Sequence, residues 1–470
     1  MSTQNSICSH THNDHNGVEK APVIVVMVPF PLQSHLNQLL QLSHLISSYN
    51  IPVHYVGSTF YNSQVRSRSR IHADPANIHF HDFPTPPFTS EYSSSDFLFP
   101  SFHATKHLRE PVSALLHQLS SKAKRLIIIN DVLSASVVQD AQTLPNAKSY
   151  IFYSVSAFDV FTHIWEAMGK PFQLEAEIIP SELPSLQDCV TPESLRLMTD
   201  QYQFVGSKAG ELYNTTRSIE ATYVDLLRKV MNGNGKIWAI GPLLPTITSS
   251  SNNSSCSSGR EKCLEWLDKQ GPNSVLYISF GTTTSLEDEQ IEELALGLEQ
   301  SGTKFVWVLR DADEGNASGE GRKRALLPKG FEERVKEVGM VVRDWAPQIE
   351  ILGHPSIGGF MSHCGWNSFM ESISNGVPIA AWPMHSDQPR NAVLITQLLK
   401  VGVFVREWEK RDQIVRSTAI SKAVKTLMAT DEGKEMRKRA RDMGSAVQRS
   451  TEEGGVSRME WDSFIAHITS

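Results

Sequence analysis

The sequence predicts an α/β protein of two doubly wound domains that face each other across a cleft. Three observations carry this. Short, nearly continuous apolar runs recur along the chain, helix-period apolar patterns follow several of them, and a Ser/Asn-rich stretch interrupts the alternation near the middle. Continuous apolar runs mark strands buried on both faces, as in a parallel sheet covered by helices on either side. A chain of 470 residues also exceeds one ordinary core. About two or three domains of roughly 150 to 200 residues are expected.

Residues 1–20, MSTQNSICSHTHNDHNGVEK, are polar and read as a disordered tail. His10, His12 and His15 within it are a weak metal-binding pattern, for which a solvated tail is the simpler account. PVIVVMVPFP over 22–31 is the first strand, and Leu36, Leu39, Leu40, Leu42 and Leu45 then form a broad helical face. RLIIIND over 125–131 is another strand, followed by the helical pattern SASVVQDAQ. TITSSSNNSSCSSG over 246–259 cannot build a core and reads as a linker between domains at 21–245 and 260–450. Beyond it SVLYISFG is a strand, EDEQIEELALGLEQ a helix, and KFVWVLR, MVVRDW, PIAAWPM and VGVFV further strands. After Gly454 and Gly455 the end of the chain, 451–470, reads as a helix.

Composition narrows the function classes. Lys plus Arg number 44 against 51 Asp plus Glu, a net charge of -7, and no aromatic-basic stripe appears, so nucleic acid is not an expected partner. The 5 cysteines are scattered without a C-x-x-C pair, which indicates neither a disulfide framework nor a zinc site and fits a reducing compartment. No signal-peptide core or membrane-length apolar stretch is present, so a cytoplasmic protein without membrane insertion is expected. The sequon at Asn214 is then a chance match.

In doubly wound domains ligands bind outside the carboxyl ends of the strands, so the loops after the apolar runs deserve the closest reading. GWNSFMESISNGVP has the marks of a complete helix, with Asn367 and Ser368 at its start, Gly376 as a left-handed end and Pro378 beyond. Free N–H groups at such a start can seat a phosphate, with His363, Asn367 and Ser368 as further donors. Glu371, one turn on, can accept hydrogen bonds from ribose hydroxyls, and Gly359 and Gly365 permit close backbone approach. Ordinary helix capping and a buried structural histidine explain the same residues. Trp345 can stack a flat base or be a core aromatic, Asp387 and Gln388 follow a strand where they can grip sugar hydroxyls, and Gly281, Thr282 and Thr283 form either a phosphate contact or a strand-end turn.

Taken together, W-A-P-Q, H-C-G-W-N-S, a glutamate three residues later, G-V-P and a closing D-Q resemble the nucleotide-sugar signature of plant UDP-dependent glycosyltransferases. NIHFHDF, HLREPVSALL, SFGTTTSL and MHSDQPRNAV bring the chain nearest the zeatin O-glucosyltransferase subgroup. The resemblance implies two Rossmann-like domains of GT-B type and inverting transfer of glucose from UDP-glucose to a small plant metabolite. It implies no metal, and a monomer is expected. By resemblance Trp345 stacks on uracil with Ala346 in the same set, Gln348 and Glu371 hold the ribose, and His363, Asn367 and Ser368 hold the diphosphate beside Gly365. Trp366, Asp387 and Gln388 face the sugar. The terminal helix crosses back onto the first domain.

Attack by an alcohol needs a base, and His35 at the end of the first strand is suited to that near neutral pH. It matches the family's Q-G-H pattern, although Ser34 replaces the glycine and Gln38 a frequent proline. Asp131, ending another strand, matches the residue that orients the base. Helix capping is the alternative for each. Aromatic loops over 83–102 and 152–165 suit a flat apolar acceptor, with Phe88, Phe158 and His385 as candidate contacts and Phe161 and Trp165 as core. Cytokinins head the acceptors and flavonoids follow, with UDP-xylose the alternative donor. An epimerase or hydrolase of UDP-sugars and an idle UDP-sugar or hormone sensor are rival readings. The absence of G-x-G-x-x-G after the first strand disfavours an oxidoreductase.

Overall fold

Thirteen strands form two all-parallel sheets in a computed structural model that describes residues 21–68, 77–86, 96, 98–206, 208–231, 235–245, 257–309, 326–343 and 345–470. The first sheet contains β1 (Ala21–Val28), β2 (Val53–Ser58), β3 (Ile78–Phe83), β4 (Ala123–Asp131), β5 (Ala147–Tyr153), β6 (Gly210–Tyr213) and β7 (Ile237–Ala239). Its order is β3-β2-β1-β4-β5-β6-β7. The second contains β8 (Val275–Ser279), β9 (Lys304–Val308), β10 (Gly339–Val342), β11 (Ile357–Ser362), β12 (Ile379–Ala381) and β13 (Gly402–Phe404), ordered β10-β9-β8-β11-β12-β13. Both orders reverse direction beside their first strand, between β1 and β4 and between β8 and β11. A crevice at the carboxyl edge opens at such a reversal, and it is where open α/β sheets take ligands.

The apolar runs explain the strands directly. Val25, Val26, Met27 and Val28 of β1 and Leu126 to Ile129 of β4 are fully buried because helices cover both faces. The helix Gln33–Ser47 lays Leu36, Leu39, Leu40 and Leu42 on that sheet. The segment after β4 departs from the expected α-helix: Val132–Thr143 winds in tight 3₁₀ turns, entered through an Asp131 cap on the Leu133 N–H. The polar tail lies outside the described residues. So does the expected linker, except at its end, where the helix Ser257–Leu267 begins.

The terminal helix and a buried arginine are among the contacts that tie the halves. The helix Val456–Thr469 places Trp461, Phe464, Ile465 and Ile468 in one cluster with Val23, Val25 and Trp238, so the end of the chain completes the first domain's core. At the interface Arg390 is fully buried and donates to the Pro184 carbonyl at 2.8 Å, Thr162 Oγ1 at 2.7 Å and Glu166 Oε2 at 2.6 Å. A buried guanidinium is tolerated because each edge finds an acceptor.

Candidate active site

At the first domain's reversal, β1 runs into the helix Gln33–Ser47, whose first turn carries His35. Asp131 ends the neighbouring β4 and is wholly buried. Its Oδ2 lies 2.7 Å from His35 Nδ1, while its Oδ1 accepts the Leu133 N–H at 2.9 Å. An ionised carboxylate only accepts, so Nδ1 carries the proton and Nε2 presents its lone pair. Ser154, just after β5, sets its Oγ 2.8 Å from the same Nδ1, and the Phe30 ring meets the imidazole edge-on at 5.5 Å. Simple capping accounts for Asp131 only in part, since one oxygen caps and the other meets His35 Nδ1. Ser154 is a site residue the sequence did not reveal, being one serine among many.

The second reversal holds a different histidine. His363 follows β11 and is enclosed by two glycines: a Cβ on Gly281 would lie 2.8 Å from its Nε2, and one on Gly365 2.6 Å. Gly281 also has φ +79°, so any side chain there is strained as well as blocked. Burial pushes the His363 imidazole down to about 4, against a weaker opposing effect of a hydrogen bond with the Ser279 backbone. The helix Trp366–Ser374 starts next, with Gly365 as its cap residue and no side-chain cap. Asn367 and Ser368 therefore do not cap it, and its leading N–H groups are available to an anion. Gly376 ends it at φ +68°, as expected. Cys364 is fully buried with its thiol pushed up by desolvation, so it has no nucleophile character.

Gln348 organises the next part of the site. Its Nε2 donates to Glu371 Oε2 at 2.6 Å and to Ser368 Oγ at 3.1 Å, and Tyr277 donates to its Oε1 at 3.3 Å. Burial raises the Glu371 carboxyl to about 7, opposed by the Gln348 hydrogen bond. The Ala346 carbonyl accepts the Gln348 N–H at 2.9 Å, and Trp345 beside it is 50% exposed, which is no core position. Thr283 and Thr282 flank the same turn as Gly281. Thr283 Oγ1 sits 3.1 Å from His385 Nε2, and the hydroxyl of Thr284, at the end of the same turn, is buried without a partner among the described residues.

Several expectations need correction. His385, expected on the acceptor side, is held against Thr283 and close enough to His363 to feel its charge. Burial first and His363 second push it down to about 3. Phe158 is completely buried and meets Tyr223 edge-on at 5.0 Å, so it is core and no part of an acceptor wall. Trp366 is buried too, its indole N–H donated to the Asn214 carbonyl at 2.7 Å across the domain interface, which removes that side chain from the sugar. Gln388 uses its Oε1 to bind the Met384 and His385 N–H groups at 2.9 and 3.1 Å, bracing its own loop. Gly359 lies inside β11, where a Cβ would meet Leu427 at 2.7 Å, so its smallness serves packing and not ligand approach. Asp387 accepts from Asn391 at 2.7 Å and is raised to about 7 by burial and then by Asp159. Phe88 lies outside the described residues. Among the described residues no His, Cys, Asp and Glu side chains are grouped to hold a metal ion, and no helix is long and apolar enough to cross a membrane.

A histidine–carboxylate pair facing an anion-ready helix start across two Rossmann-like domains is the arrangement of a GT-B nucleotide-sugar transferase. The model described as Glycosyltransferase, N-terminal domain matches residues 21–245, and that described as UDP-glucoronosyl and UDP-glucosyl transferase matches residues 214–439. The chain belongs to this UDP-glycosyltransferase family. It is 52% identical to the zeatin O-glucosyltransferase of Phaseolus lunatus, over 97% of this chain and 99% of that one. It is also 52% identical to the zeatin O-xylosyltransferase of Phaseolus vulgaris, over 96% and 99%. A solved UGT transferase of Siraitia grosvenorii in complex with UDP superposes with a TM-score of 0.78 at 28% identity, covering 95% of this chain and 100% of that one.

Proposed function

We propose that this enzyme transfers glucose from UDP-glucose to a hydroxyl of a cytokinin such as zeatin, with inversion at the anomeric carbon. The observation that carries the mechanism is the 2.7 Å contact between His35 Nδ1 and Asp131 Oδ2. Asp131 holds the tautomer in which Nε2 takes the acceptor's hydroxyl proton, and it stabilises the imidazolium that forms. The oxygen then attacks C1 from the face opposite the leaving group. UDP departs with its charge met by the N–H groups at the start of the helix Trp366–Ser374, His363 and the threonine hydroxyls. Gln348 and Glu371 hold the ribose, Trp345 and Ala346 the uracil, and Asp387 the sugar. The enzyme works as a monomer in the cytosol, without a metal, on two small molecules.

The two Phaseolus relatives differ in donor name at equal identity, so UDP-xylose is the second donor to try, and a flavonoid the second acceptor. Mass spectrometry of products from each donor with a panel of cytokinins and flavonoids is expected to show a hexose added to zeatin. His35→Ala should lose on the order of 10²- to 10⁴-fold in kcat, the range for general-base loss, while keeping its affinity for UDP. Wild-type protein that binds UDP-glucose yet adds mass to no acceptor would mean a sensor and not a transferase.

A further inference from the structure

We propose that Gln38 is a positioning residue that locks the base-bearing turn of the first domain to the helix start of the second, so that domain closure and the aim of His35 are a single event. The inference rests on the transferase reading above. Gln38 stands one turn after His35 on the helix Gln33–Ser47 and is 2% exposed. A glutamine this deeply buried needs partners for its amide, and here both ends have them. Nε2 donates to the Ser154 carbonyl at 3.0 Å and to Asn367 Oδ1, and Oε1 accepts from Asn214 Nδ2 at 2.9 Å.

The partners are what give the position meaning. Ser154 is the residue whose hydroxyl meets His35 Nδ1 at 2.8 Å. Asn367 belongs to the first turn of the helix Trp366–Ser374, and its own Nδ2 returns to the Ser34 carbonyl at 3.0 Å, immediately before His35. Asn214 takes the Trp366 indole N–H on its carbonyl. The result is a closed path from His35 through Ser154, Gln38 and Asn367 to Ser34, crossing between domains twice. An apolar side chain at 38 would leave the Ser154 carbonyl, Asn367 Oδ1 and the Asn214 side-chain amide to find other partners, and the Asn367 to Ser34 contact alone would then register His35 against the donor helix. Small losses of register are costly, since a misplacement of about 1 Å can lower turnover about 10²-fold.

The test compares full-length Gln38→Leu and Gln38→Glu with wild type, using UDP-glucose and whichever of zeatin or a flavonoid the wild type turns over fastest. Gln38→Glu keeps the shape and the acceptor but removes the donor, and it carries the test if Gln38→Leu does not fold. Expected are a 10- to 100-fold loss of kcat for each, UDP affinity by calorimetry within about threefold of wild type, and a larger share of UDP-glucose lost to water. In an Asn367→Ala background Gln38→Leu should add little. A variant that melts earlier yet keeps wild-type kcat well below its melting temperature, or one whose loss lies wholly in UDP affinity, would overturn the proposal. His35→Ala separates the two levels. If it stays active the transferase mechanism fails, whereas a dead His35→Ala beside an active Gln38→Glu rejects only the role of Gln38.

Discussion

His35 follows β1 beside the end of β4, and His363 follows β11 beside the end of β8, so each stands where its own sheet reverses strand order. Their surroundings differ. His35 has a buried carboxylate at 2.7 Å and a serine hydroxyl at 2.8 Å on the same nitrogen. His363 has two glycines pressed against its ring and, among the described residues, no carboxylate partner, and burial lowers it to about 4. A carboxylate stabilises an imidazolium, so these surroundings suit the proton acceptor of the proposed mechanism. An enclosed neutral ring can only donate or accept a hydrogen bond, which suits the anion contact proposed for it beside a helix start. The same location in the same architecture gives two histidines different surroundings, and the base and binding roles proposed for them rest on that difference.

The comparison breaks most sharply at Asp131. Asp131→Asn lets an amide donate to Nδ1 and turns the ring to the wrong tautomer. Steady-state kinetics should show a fall in kcat on the order of 10³-fold, and calorimetry an unchanged UDP affinity. Turnover within about fivefold of wild type would mean that Asp131 matters only as a cap.

His363 should respond in the opposite sense. His363→Ala is expected to weaken UDP-glucose binding about 10- to 100-fold, as for loss of a hydrogen bond to a charged group, with a smaller effect on kcat. Its titration offers a second handle. With a folded pKa near 4 against an ordinary 6.5, the folded protein binds fewer protons than the unfolded chain between those values. That contribution is fully present above 6.5 and is lost as pH falls toward 4. Urea unfolding should therefore show wild type losing stability relative to His363→Gln between pH 7 and pH 5. A constant difference would contradict the enclosed, neutral ring.

The smallest expected effect lies at the rim. Because half its surface is exposed, Trp345→Ala should leave the melting temperature unchanged. It should raise the KM for UDP-glucose by about three- to tenfold, the value of one aromatic stack. A large drop in melting temperature would return Trp345 to the core.

Much of this was legible beforehand because it is local. Apolar runs announced β1, β4, β8 and β9, and the positive φ of Gly376 at the end of the helix Trp366–Ser374 matched a glycine placed where a left-handed residue was needed. β11 was harder to see. IGGFMS reads poorly as a strand, yet Gly358 and Gly359 are demanded by backbone of Asn273 and side chains of Leu427 and Met428 pressed against them. Phe158 and Trp366 have the right types for ligand contact, but spacing along a helix says which face a residue occupies and not what that face meets. Tyr223 and Asn214, distant in sequence, take those two side chains, whereas Gln388 turns its Oε1 to the 384–385 backbone of its own loop.

By itself the sequence determined many local states: which continuous apolar runs become strands, where the helix Trp366–Ser374 stops, and which residue types stand at strand ends. Those follow from sterics and burial over a few residues. Only the tertiary structure decided which strand ends are adjacent, and with them the pairing of His35 with Asp131, 96 residues apart, and of Gln38 with Asn367, 329 apart. Such contacts depend on strand order and on how the two sheets close on each other, and no propensity acts over that distance.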